Sequence, residues 1–83
     1  MVRIDLVSLP PELLAKLWGR IYSLDGRSVL VPDVVADRYG LLGERLSCEE
    51  LRELLSENWG RLPRLFRRYA LADCRELALR LLF

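Results

Sequence analysis

Residues 2–17 read VRIDLVSLPPELLAKL, and the way this stretch divides decides the fold. Val2, Ile4 and Leu6 alternate with Arg3 and Asp5, the period-two pattern of a strand with one buried face. Pro10 and Pro11 then open a helix, where proline is tolerated because the first N–H groups have no intrahelical acceptor. Leu13, Leu14, Leu17, Ile21 and Leu24 fall at helical spacing, so the helix is expected to continue to the Asp25-Gly26 turn signal. Residues 28–31 read as a short extended piece, because the residue before Pro32 avoids the helical region.

Downstream the pattern is helical. Asp33 is expected to cap a short helix over residues 34–39, closed by Gly40. Ser47 and Glu50 form an S-x-x-E capping box, with Leu46 and Leu51 at the positions of a hydrophobic staple. Leu51, Leu54 and Leu55 make the buried stripe, Trp59 extends the apolar surface and Gly60 ends the helix. Pro63 starts a last helix, which is expected to run to the end of the chain.

The composition limits the chemistry. The chain has 83 residues, 52% hydrophobic and 30% charged, with a formal charge of +1, which suits one small globular domain. It has no histidine, glutamine or threonine, a single asparagine (Asn58) and twelve arginines against one lysine, Lys16. Scarce amides and abundant charge fit a thermophile. There is no apolar run long enough to span a membrane. The start lacks the layout of a signal peptide, so a cytoplasmic protein is expected. Cys48 and Cys74 fit no metal spacing and leave two alternatives, a disulfide or two buried thiols, of which buried thiols is the expectation.

Without histidine, Ser–His and Cys–His nucleophile pairs cannot form within the chain. The five glycines stand singly and form no phosphate cradle. Glu49, Glu50 and Glu53 sit in the first turns of a helix, where acids suit the dipole. No enzyme, cofactor, metal or small-molecule substrate is expected.

The closing segment, residues 61–83, is rich in arginine. On a helical wheel Phe66, Ala70, Cys74, Leu77 and Leu81 share one face, which is the core stripe. Arg64, Arg68 and Arg75 share a second sector, with Arg67 between the two, an arrangement that suits either a solvated face or a phosphate backbone. Residues 1–59 carry seven basic and ten acidic groups, whereas residues 60–83 carry six basic and two acidic ones. Such polarity fits an oppositely charged partner. The apolar finish, Leu81, Leu82 and Phe83, is expected to pack into a neighbouring subunit.

The segments SLPPELLAKL, SCEELRELLSE and RLPRLFRRY, in that order, resemble the helical A domain of archaeal GINS subunits, which are replication factors. The resemblance covers most of the chain, although GINS subunits also carry a small β-rich domain for which this chain has no room. It implies a non-catalytic scaffold subunit. VRIDLVSLPPELLAKL followed by GRS is similar to ribbon-helix-helix repressors and antitoxins, in which two chains pair their strands and outward side chains, here Arg3, Asp5 and Val7, read DNA. VVADRYGLL resembles part of a helix-turn-helix, with the acidic CEELRELL as its recognition helix.

The expected fold is therefore mostly α: a small four-helix single domain over residues 1–83, with a short N-terminal strand whose candidate partner is residues 28–31. The expected function is a non-enzymatic interaction or scaffold subunit of a larger assembly, plausibly in DNA replication. Its partners would be protein subunits, in a hetero- or homo-oligomer, with nucleic acid contacted directly or through the assembly. The partner-binding residues would be Leu79, Leu81, Leu82, Phe83 and Trp59, with Trp18 a further aromatic candidate. The alternative is a small dimeric DNA-binding regulator or antitoxin using Arg3, Arg64, Arg67, Arg68 and Arg75.

Overall fold

In the computed structural model, which describes residues 1–77, Val2–Asp5 forms the first strand (β1) and Pro11–Leu17 the first helix (α1). The helix stops at Leu17 and does not reach Leu24. The chain leaves the helical region at Trp18 (ψ 130°) and turns at Gly19, whose φ of 94° a residue with a Cβ rarely adopts. Ile21 and Leu24 are still drawn inward, but from extended backbone. Tyr22–Ser23 (β2) pairs with Ser28–Val31 (β3) across a turn closed by Asp25. The Asp25 carboxylate accepts the Arg27 N–H at 2.9 Å and the Ser28 N–H at 3.0 Å. These bonds, Arg27's first, hold its carboxyl below the usual aspartate range.

The expected partnership of β1 with residues 28–31 is present: Val2 faces Val31 and Asp5 faces Ser28 in an antiparallel ladder. A further strand, Glu44–Arg45 (β4), pairs with the other edge of β1. The sheet order is thus β2-β3-β1-β4. With α2 (Asp33–Tyr39), α3 (Cys48–Leu55) and α4 (Arg64–Asp73), the chain is a small α+β domain and not the mostly α fold expected from its leucines.

The sheet lies between two helical layers. All four residues of β3 are buried, as befits a strand covered on both faces. Val29 and Val31 join Val2 and Ile4 in a cluster with Leu17, Val35 and Ala36 of α1 and α2. Leu30 points the other way, into a cluster with Leu51, Leu55, Phe66 and Ala70 of α3 and α4. The capping box is formed: Ser47 Oγ accepts the Glu50 N–H at 3.2 Å and Glu50 Oε1 accepts the Ser47 N–H at 3.2 Å.

Four further expectations are corrected. Pro32, not Asp33, caps α2, and the Asp33 carboxylate is engaged by the Met1 ammonium at 2.6 Å. Residues 56–61 form a 3-10 segment that carries Trp59 and runs through Gly60. α4 ends at Asp73, because Cys74 is extended (φ −144°) where it bonds Cys48. The two cysteines are therefore a disulfide, with Cα atoms 5.6 Å apart, and not free thiols. The core stripe of the wheel holds as far as Leu77, and Leu81 lies outside the described residues.

Gly43 carries the link into β4 flat against β1. A Cβ there would overlap the Arg3 carbonyl and lie 2.7 Å from Ile4 Cγ1. Gly43→Ala is expected to cost about 1–3 kcal/mol, whereas Gly60→Ala, with nothing within 4 Å of its Cβ, should be near neutral. Urea denaturation of the two variants checks the contrast, and equal midpoints would contradict the close packing at Gly43.

Candidate interaction surface

α1 inserts Leu17 fully into the core, and the helix ends there. The break places Trp18 outside the helix and outside the core, 76% exposed. Tryptophan has a large apolar surface, so leaving it in water forgoes a substantial burial gain. Its ring stands beside a groove of about 460 Å³. Leu6, Leu14, Ile21 and Val29 line the groove with Trp18 and Tyr22, and Arg61 and Pro63 from the far part of the chain complete it. The lining is mainly apolar with one cation at the side, which is chemistry for an apolar side chain with an acid nearby.

Beyond Pro63 the first turns of α4 carry a basic stripe. Arg64, Arg67, Arg68 and Leu71 follow i, i+3, i+4, i+7 spacing and, with Trp59, line a shallow depression of about 280 Å³. Among the described residues, the ion pairs are those of the Met1 ammonium with Asp33 and Asp73, so these arginines have no carboxylate partner. α4 also has no acid in its first turn. Like charges at i, i+4 and cations at a helix N-terminus are each mildly unfavourable, which makes this end of the molecule receptive to anions.

The residues singled out in the sequence are thus only partly brought together. Arg64, Arg67 and Arg68 share one surface. Arg75 follows the end of α4 and leaves their register. Arg3 lies on β1, where its Nε donates to Ser28 Oγ at 3.2 Å. Trp59 is in the core, 8% exposed, and its buried Nε1 has no acceptor among the described residues. Leu79, Leu81, Leu82 and Phe83 lie outside the described residues. Trp18 is the aromatic candidate that the fold exposes.

Sequence reasoning missed Leu6, Tyr22, Arg61 and Pro63 as groove residues, because they meet only once β2 pairs with β3. It also missed Leu42, which is 91% exposed. The pair Leu41-Leu42 between Gly40 and Gly43 was the available signal: two glycines bracket apolar residues on a loop. Cys48, Cys74 and Glu76 bring metal-ligand atoms within 4.8 Å of one another, but both sulfurs are joined in the disulfide and offer no thiolate. No helix among the described residues is long and apolar enough to cross a membrane. Comparison with protein-family models, curated proteins and solved structures gives no match.

Proposed function

We propose that this protein is a non-enzymatic interaction subunit that works inside the cell by docking an apolar protein segment into the groove beside Trp18. The exposure of Trp18 on the rim of an apolar groove carries this reading. Large aromatics seated in or beside pockets dominate the energetics of protein interfaces. Arg61 at the side of the groove adds preference for an acid next to the apolar anchor.

Trp18→Ala is expected to leave the fold intact and to weaken partner binding at least about 30-fold, the usual loss at a hot spot. A benzophenone amino acid at position 18, compared with one at Val34 outside the groove, would report the partner by cross-linking in the host cell. Equal capture at both positions, or unchanged affinity in Trp18→Ala, would remove the groove from the interface.

The arginine stripe supports a second reading, nucleic-acid binding through phosphates. The strand-based version of that reading is less favoured, since β1 pairs within the chain along its whole length with β3 and at Val2 and Arg3 with β4. DNA binding by the purified chain at low and at physiological salt separates the two readings. Tight binding with a steep salt slope, lost in R64E/R68E, would favour nucleic acid over a protein segment.

A further inference from the structure

We infer that the groove beside Trp18 receives Leu42 of a second copy of this chain. The inference rests on the reading of the groove as a protein-docking site and names its occupant.

Leu42 is presented as a plug. It is 91% exposed, so almost none of its apolar surface is used within its own molecule. The backbone on either side is nevertheless fixed. Before it, α2 closes in a Schellman arrangement: the Gly40 N–H reaches the Asp37 carbonyl at 3.4 Å and the Leu41 N–H the Ala36 carbonyl at 2.8 Å. After it, Gly43 is pressed against β1 and Glu44 pairs with Arg3. An apolar side chain on a fixed backbone loses less freedom on docking than one on a mobile loop.

The charges match. Glu44 is exposed two residues after Leu42, and Arg61 lines the groove without a carboxylate partner among the described residues. The plug does not fill its own groove: Leu42 is 91% exposed and is not among the groove's lining residues. β4, next to Leu42, is one edge of the sheet, and β2, next to Trp18, is the opposite edge. Plug and socket are therefore distinct surfaces that share no lining residue. A contact between unlike surfaces on opposite edges is heterologous. It propagates head to tail into a ring or a filament and does not stop at a two-fold dimer. One loop in one groove is a small interface, so association is expected at about 10–500 µM.

The test is sedimentation of the full chain across that range. The average mass should rise with concentration for the native chain and stay monomeric for Trp18→Ala and for Leu42→Asp, both surface changes whose folding circular dichroism checks. An equimolar mixture of these two variants should form a dimer and nothing larger, since it holds one intact plug and one intact socket. Arg61→Glu should weaken assembly at least about tenfold, and adding Glu44→Arg should restore it. A native chain that remains monomeric at 500 µM overturns the inference, while the cross-linking at position 18 still decides whether the groove docks a foreign partner. Assembly in which the two variants fail to complement each other also overturns it.

Discussion

Loss of the Cys48–Cys74 disulfide is expected to lower the unfolding free energy by about 3–4 kcal/mol. The bond joins the first residue of α3 to the residue after α4, with a sequence separation of 26. Closing a loop of that length removes chain entropy from the unfolded state by about this amount. The bond also holds Cys74 in the core, 3% exposed, among Leu51, Phe66 and Leu77. For a domain of this size the melting temperature should fall by roughly 12–30 °C. Thermal unfolding with and without a phosphine reductant, alongside C48A/C74A, measures the effect. Coincident curves would show that the cross-link contributes nothing to stability.

Asp73→Ala is expected to cost about 2–4 kcal/mol. Asp73 Oδ2 forms an ion pair with the Met1 ammonium at 2.7 Å and accepts the Asp33 N–H at 3.0 Å. The Met1 side chain is fully buried, and the Asp73 side chain is 10% exposed. One carboxylate thus fastens the start of β1, the start of α2 and the end of α4 at a single point. Removing it leaves the Asp33 N–H without an acceptor and the ammonium with Asp33 alone. Asp33 is 39% exposed, so its own replacement should cost less, because water screens it. Asp73→Asn keeps an acceptor in place and should fall between the two. Denaturant midpoints of the three variants give the order, and an Asp33 variant weaker than Asp73→Ala would contradict it.

The features that were legible in the sequence are those with local chemistry. The Ser47–Glu50 box, the helix end at Gly40 and the alternation over residues 2–5 each involve residues close together along the chain, so spacing reveals them. Even the partner of β1 was legible, since residues 28–31 form an apolar run before a proline. β2 and β4 were not, because two residues are too few for a periodic signal. Glu44–Arg45 has no apolar content, and its pairing comes entirely from the approach of β1. Ile21 and Leu24 misled for a related reason: they are apolar at helical spacing, but beyond Gly19 they flank β2, Ile21 buried and Leu24 half-buried. The disulfide spans α3, the 3-10 segment and α4, and no spacing rule reaches across them. The candidate surface was visible as a tryptophan and a set of arginines. The groove required Leu6, Tyr22, Val29 and Arg61 to converge from four segments, and only the folded chain brings them together.

The central place of β1 bears on how the chain comes to fold. The strand made first acquires its neighbours late: β3 pairs with it from residues 28–31 and β4 from residues 44–45. The ammonium at its start waits for Asp73. A nascent chain that stops short of α4 therefore holds the four strands and α3 but lacks Phe66 and Ala70, so the cluster around Leu30 is still incomplete. Such non-local closure slows folding relative to a helical bundle of equal size and makes it one late, cooperative event. In a cell, the interval between synthesis of β1 and arrival of α4 is when this chain is most open to aggregation and to chaperones.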